Sequence, residues 1–252
     1  MITEPFFYAV AIPAVLIMGV SKGGFGSGLG IMATPLVALA VPAPQAAAIM
    51  LPILLVMDVT GLVAYRGTFL RGNLGLLLAG GVAGVALGAL TFRFFSEAVI
   101  RALLGAMAIA FVAHRLRVGG TNAPAVTPSK ARGFFWSTLA GLASTIAHAG
   151  GPPLSVYLLP QKLDKAVLVG TTVVFFAAIN AVKVVPYFWL GLFDSTNLLT
   201  SLALAPLAPF GIVFGVWLMR RLSQEIFYRV AYTLLVVVGC RLLWDGLRGL
   251  AA

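Results

Sequence analysis

Long apolar segments alternate with short polar or glycine-rich stretches along the whole chain. We place ten of them at residues 5–20, 25–41, 45–65, 73–92, 97–117, 132–147, 152–160, 165–190, 197–219 and 225–247. A transmembrane helix needs about 20 predominantly apolar residues, and several of these segments reach that length. The pattern predicts an all-α polytopic membrane protein. Two segments, 25–41 and 152–160, are too short to cross a bilayer as straight helices.

Two glycine-rich breaks interrupt this pattern, at residues 19–30 and 147–153. In hydrocarbon, non-helical backbone survives only inside protein or beside a wet cavity, so such breaks are good pointers to a transport site. We expect them to be the tips of re-entrant hairpins near the midplane, each opening a helix N-terminus that suits an anion. Pro152 and Pro153 favour such a start in the second break. Alternatively, the glycines only let helices pack closely.

The two halves of the chain are weakly repeated. A shift of 122 residues, without a gap, aligns the pairs Gly19 and Gly141, Gly28 and Gly150, Asp58 and Asn180, and Tyr65 and Tyr187. Both breaks and both mid-segment Asx residues therefore fall in register. We predict a single transporter domain over residues 1–252, with repeat 1 at about 5–117, a linker at 118–131 and repeat 2 at about 132–248.

The distribution of charge predicts the orientation. The chain is 61% hydrophobic and only 10% charged, with a net charge of +10. An odd number of crossings per half places eleven basic residues on one side and four on the other, whereas an even number divides them about equally. The positive-inside rule favours the odd number, which inverts the second repeat and directs both termini away from the cytoplasm.

The same composition excludes several classes of protein. The basic residues stand singly or in pairs between apolar segments, and no basic block with interleaved aromatic residues suggests nucleic-acid binding. The single cysteine, Cys240, excludes an internal disulfide and a cysteine-based metal site. We therefore predict no metal, no cofactor and no nucleic-acid partner.

Three charged residues are candidates for a functional role. Lys22, in the first break, either snorkels to the interface or is buried with an anion or Asp58 as its partner. Asp58 is the single acidic residue in the middle of a segment, where charge is costly and usually functional, although it could simply pair with Lys22 or Lys183. Lys183 is either a member of that pair or a proton-coupling group.

Neutral polar residues complete the candidate site. His148 lies in the second break, either as a packed neutral histidine or in a proton-coupling or substrate-contacting role. Asn180, Thr171 and Thr172 could bind a ligand or serve interhelical hydrogen bonds. Lys183 follows Asn180 by three residues on the same helix face.

These motifs resemble the TauE/SafE (TSUP) family of membrane transporters. The resemblance rests on Ser21-Lys-Gly-Gly-Phe-Gly26, Leu51-Pro-Ile-Leu-Leu-Val-Met-Asp58, His148-Ala-Gly-Gly-Pro-Pro153, Tyr157-Leu-Leu-Pro160, Gly170-Thr-Thr172 and Asn180. It covers residues 5–248 and implies a permease or exporter for small sulfur-containing or organic anions such as sulfite, sulfoacetate and related sulfonates. Where the second half has Gly170-Thr-Thr172, the first has Ala48-Ile-Met50, so symmetric substrate contacts are not expected.

Together these observations predict a secondary active transporter, proton-coupled and working by alternating access, in the bacterial inner membrane. It would be a multi-pass protein, with a homodimer as one possible assembly. The substrate site would contain Ser21, Lys22, Gly26, Gly28, His148, Gly150, Gly151, Thr171, Thr172 and Asn180. The proton-coupling candidates are Asp58, His148 and Lys183. An anion channel and an intramembrane lipid-modifying enzyme are the alternatives. The enzyme would need clustered histidine and acidic residues, and His148 and Asp58 alone do not form such a cluster.

Overall fold

The computed structural model describes residues 1–25, 30, 33–91, 96–117 and 124–251, and the elements of this part of the chain are all helical. The α-helices, in chain order, are α1 (Pro5–Gly24), α2 (Ala33–Val37), α3 (Ala43–Ala64), α4 (Leu74–Thr91), α5 (Glu97–Arg117), α6 (Lys130–Ala147), α7 (Gly151–Leu158), α8 (Lys165–Trp189), α9 (Ser195–Leu204), α10 (Leu207–Arg221) and α11 (Gln224–Ala251). A short 3-10 turn, Leu159–Gln161, follows α7.

Five of these helices are long and apolar enough to cross a membrane. They are α1, α3 from Pro44, α4, α8 and α11. The prediction of an all-α polytopic membrane protein is thereby confirmed. A sixth span exists if α9 and α10, which meet at an angle of 44°, cross together.

The bend between α9 and α10 corrects the sequence prediction, which gave one unbroken segment at 197–219. Helix α9 ends at Leu204 and α10 begins at Leu207, with Pro206 between them. Proline has no backbone N–H, and its ring clashes with the carbonyl four residues earlier, so a helix bends or breaks there. The apolar pattern runs through this point unchanged, which is why periodicity alone did not detect it.

The predicted segment 25–41 is also different in the structure. Helix α1 continues to Gly24, past the predicted end of the first segment, and α2 covers only Ala33–Val37. Residues 26–29 and 31–32, which include Gly26 and Gly28, lie outside the described residues. Gly30 lies against α1: a Cβ added at Gly30 would be 2.6 Å from Met18 Sδ and 3.4 Å from Ser21 Oγ.

The chain forms two compact units, and each unit takes residues from both halves of the sequence. Unit 1 comprises Met1–Phe69 and Val169–Arg221, and unit 2 comprises Leu70–Leu168 and Leu222–Ala252. Helix α8 begins in unit 2 and continues in unit 1. The sequence halves and the compact units are therefore different divisions of the chain.

Unit 1 is built on close contact between α1 and α10. A Cβ added at Gly19 would lie 2.8 Å from the Cα of Gly211, and one at Gly23 would collide with the backbone of Ile212. The alternative interpretation of the first break is thus correct for Gly19 and Gly23, which allow two helix backbones to touch. Helix α1 is continuous through both glycines.

Unit 2 repeats this kind of packing. Helix α4 lies against α6, where a Cβ on Gly84 would meet the backbone of Thr138 and Leu142. Helix α5 lies against α11, where Gly105 faces the backbone of Leu243. Both pairs depend on positions without a side chain.

The second break turns the chain back on itself inside unit 2. Helix α6 ends at Ala147, and its C-cap His148 has a left-handed backbone with φ 49°. Helix α7 then begins at Gly151, with Pro152 and Pro153 in its first turn, as predicted. A Cβ on Gly133, near the start of α6, would lie 2.9 Å from the Tyr157 hydroxyl at the far end of α7. The two helices therefore form a hairpin.

Candidate functional site

Lys22 lies in the last turn of α1, not in an open break. It is 4% exposed, and its ammonium forms an ion pair with the Asp58 carboxylate of α3. The C-terminal end of a helix carries partial negative charge, which also favours a cation in this turn. The snorkelling interpretation of Lys22 is therefore wrong, and pairing with Asp58 is the observed arrangement.

Asp58 uses both of its carboxylate oxygens. Oδ1 faces Lys22 Nζ, and Oδ2 accepts a hydrogen bond of 2.7 Å from Asn180 Nδ2 of α8. Both partners are donors, which is the arrangement that a buried carboxylate requires. Three helices of unit 1 thus meet at one acidic side chain.

Lys183 completes this group. It follows Asn180 by three residues on α8 and is entirely buried. Its ammonium position lies within electrostatic range of both Lys22 and Asp58. We call Lys22, Asp58, Asn180 and Lys183 the charged cluster. With both lysines protonated and Asp58 ionised, its formal charge is +1, so it is suited to an additional anion.

Helices α3 and α8 run in opposite directions past each other at this cluster. Contacts along the two helices pair Leu51 with Tyr187, Asp58 with Asn180, Gly61 with Val173, and Tyr65 with Gly170. As the residue number rises on α3, that of its neighbour falls on α8. The charged cluster therefore lies between two antiparallel, apolar helices.

Unit 1 also contains buried hydroxyl groups. Ser21, Thr171 and Thr172 are all buried, as a site in the interior requires. Thr34 of α2 is buried as well, and sequence reasoning did not single it out. Among the described residues, the Ser21 and Thr34 hydroxyls have no hydrogen-bond partner. A buried hydroxyl without a partner is a donor that a bound ligand could use.

Tyr65 was also missed as a functional candidate, although it aligns with Tyr187 in the repeat. Its hydroxyl donates a 2.5 Å hydrogen bond to the carbonyl oxygen of Gly23. Burial raises the pKa of Tyr65, and the charge of Arg220 opposes that shift only in part. The phenol therefore stays protonated and ties the end of α3 to the last turn of α1, one residue from Lys22.

The remaining predicted residues are placed differently. His148, Gly150 and Gly151 belong to unit 2, where they form the turn between α6 and α7, and His148 is buried. Gly26 and Gly28 fall outside the described residues. Whether these five residues bind substrate stays a prediction. Within the described part of the chain, no group of three or more His, Cys, Asp or Glu residues could hold a metal ion.

Comparison with known proteins identifies the family. A family model described as Sulfite exporter TauE/SafE matches residues 11–242, which is nearly the whole chain. Comparisons with curated proteins and with solved structures gave no match. The matched family consists of membrane transporters and not of enzymes. Because this family model covers nearly the whole chain, the protein belongs to the TauE/SafE sulfite exporter family.

Proposed function

We propose that this protein is a secondary active transporter of a small sulfur-containing anion, such as sulfite or an organosulfonate, in the bacterial inner membrane. The observation that carries the proposal is the charged cluster, with two buried lysines and one buried aspartate on apolar helices. An uncompensated charge in a membrane interior is expensive, and an anion beside Lys22 and Lys183 would compensate it.

The buried hydroxyl groups of unit 1 suit an oxyanion. Ser21 and Thr34 offer buried hydroxyls, and Thr171 and Thr172 lie further along α8 from Asn180. Sulfite and sulfonates present several acceptor oxygens, which can be shared between an ammonium and neutral donors. We expect Lys22 to contribute most of the attraction and the hydroxyls to set the orientation.

We also propose that the two sequence halves are inverted repeats. Helix α1 packs on α10 in unit 1, and α6 packs on α4 in unit 2. Shifting the first half onto the second matches α1 with α6 and α4 with the α9–α10 region, so the two contacts are counterparts. The antiparallel course of α3 and α8, which also match, supports the inversion. Such repeats are the usual basis of alternating access.

In this proposal the second break contributes to the same transport cycle. Gly150 and Gly151 begin α7, and His148 precedes them. The N–H groups of the first turn of a helix are unpaired and favour an anion. We propose that these groups, with Gly26 and Gly28 of the first break, contact the anion during transport.

The test is uptake into proteoliposomes that contain the purified protein. Sulfite, sulfoacetate, taurine and thiosulfate are supplied singly, with and without a pH gradient. We expect at least one anion to accumulate above its external concentration when a proton gradient is present. Equilibration without accumulation would indicate a channel, and the absence of any uptake would contradict the proposal.

A further inference from the structure

We propose that Lys183 carries the coupling proton, binding it when a singly charged anion enters the charged cluster and losing it when the anion leaves. This inference rests on the proposed transport function and adds the identity of the coupling group and the charge of the substrate. It follows from the contacts of the buried charges in unit 1.

The contacts of Asp58 make it a poor proton carrier. Lys22 lies at Oδ1 and the Asn180 amide donates to Oδ2, so each oxygen already faces a donor. A proton on either oxygen would displace one of these contacts. Lys22 is held by the same ion pair, and its loss of a proton would leave Asp58 buried without a cation.

Lys183 lies on α8, fully buried, within electrostatic range of this ion pair. Lys22 from α1 and Asp58 from α3 are charged groups that act on it. Asn180, on its own helix, is the neutral neighbour that holds Asp58. A second ammonium beside Lys22 is unfavourable in a dry interior, and an anion between the two removes the repulsion. The third candidate, His148, belongs to unit 2 and is not a member of this cluster.

The charges balance in both states of the cluster. When it is empty, the Lys22 ammonium, the Asp58 carboxylate and a neutral Lys183 amine sum to zero. When an anion of charge −1 binds, a proton from water on the same side forms an N–H bond with the lone pair of Lys183 Nζ, and the sum is again zero. On the other side the anion dissociates, the N–H bond breaks and water accepts the proton. No oxidation or reduction is involved.

This balance defines the substrate class. One proton neutralises one negative charge, so the best substrates are oxyanions with a single charge, such as a monosulfonate or hydrogen sulfite. A doubly charged anion would leave the loaded cluster with an excess negative charge in the membrane, which is costly. Transport of the singly charged anion should be electroneutral.

The test uses methanesulfonate, whose single charge does not change with pH in the working range. Purified full-length protein is reconstituted in vesicles that are one pH unit more alkaline inside, with the membrane potential clamped at zero. A one-to-one proton symporter should accumulate the anion about tenfold at equilibrium. Lys183→Met should give an internal-to-external ratio near one, because the loaded cluster then keeps an uncompensated negative charge and has no group that binds the proton. Lys130→Met, which removes an exposed lysine at the start of α6, should behave as the wild type.

Lys183→Arg is the second variant, and it keeps the site charged because arginine does not release its proton in proteins. It should exchange methanesulfonate but fail to accumulate it, whether or not Lys183→Met folds. Tenfold accumulation by either variant would overturn the role of Lys183. Loss of exchange in a Lys183→Arg protein that melts like the wild type would make Lys183 a binding residue and overturn the coupling role. Wild-type transport of the doubly charged thiosulfate without methanesulfonate would overturn the single-charge inference, whereas no transport of any anion would overturn the proposed function itself.

Discussion

Asn180 donates a side-chain hydrogen bond of 2.7 Å to Asp58, and the two residues are 122 positions apart in the sequence. The same shift of 122 aligns the two halves of the chain. In a protein with two-fold related repeats, a residue meets its own counterpart only near the symmetry axis. The proposed inverted repeat therefore requires such a contact at the centre of α3 and α8. One of its two partners, Asp58, also holds Lys22 in the charged cluster.

Exchanging the two side chains tests this relationship. Asp58→Asn leaves the Lys22 ammonium buried without its carboxylate and should destabilise the protein by about 3–5 kcal/mol. The double variant Asp58→Asn/Asn180→Asp returns a carboxylate to the opposite side of the same hydrogen bond. It should recover part of the loss, measured by chemical denaturation in detergent. A double variant no more stable than Asp58→Asn would show that the carboxylate is needed at residue 58 alone.

A second double variant separates stability from transport at the ion pair. Lys22→Met alone should cost about 3–5 kcal/mol, because it strands a buried carboxylate. Adding Asp58→Asn removes the stranded charge and should restore most of that stability. The restored protein should still fail to take up anions in proteoliposomes, since the Lys22 ammonium is absent. Uptake at the wild-type rate by the double variant would exclude the ion pair from the transport site.

Glycine packing can be tested within a single helix of unit 2. A Cβ at Gly84 meets the backbone of Thr138 and lies 2.8 Å from Leu142 N, whereas one at Gly75 meets nothing within 4 Å. Gly84→Ala should destabilise the protein by about 1–3 kcal/mol through overpacking. Gly75→Ala on the same helix is the matched control and should be neutral or slightly stabilising. Equal melting temperatures for the two variants would contradict the backbone contact of α4 with α6.

The orientation in the membrane stays a prediction from charge alone. Eleven basic residues against four favour an odd number of crossings per half and both termini outside the cytoplasm. A reporter that is active only in the cytoplasm should therefore give no signal when fused after Ala252. The same reporter inserted in the linker at 118–131 should be active. A bright C-terminal fusion would contradict the model with an odd number of crossings per half and both termini outside.

Much of the fold could be predicted from hydrophobicity, because segment length and polarity are local properties. Helices α4, α5, α8 and α11 begin or end within a few residues of the predicted segments. The hairpin of α6 and α7 was predicted from Gly150, Gly151 and the two prolines. The bend at Pro206 was missed because an apolar run does not change its composition where a helix breaks.

The charged cluster could be predicted only in part: the pairing of Lys22 with Asp58 was one of the alternatives, whereas the hydrogen bond from Asn180 to Asp58 was not predicted. Asp58 and Lys22 were recognised as costly charges, but only the tertiary structure distinguishes an interfacial lysine from a buried one. Thr34 looks like an ordinary neutral residue in an apolar segment, and its burial depends on the return of the chain to α1. Likewise the 3.0 Å hydrogen bond between Gln45 and Asn197 joins residues with no local relationship.

The backbone contact between α1 and α10 has a mechanical consequence. With Gly19 against Gly211 and Gly23 against Ile212, neither helix can slide by one residue, about 1.5 Å, without driving a side chain into its neighbour. We therefore expect α1 and α10 to move together as one rigid pair, and to bend relative to α9 at Pro206, where a helical hydrogen bond is missing. Lys22 belongs to α1 and Asp58 to α3, so we expect a tilt of α10 to change the geometry of the ion pair between them.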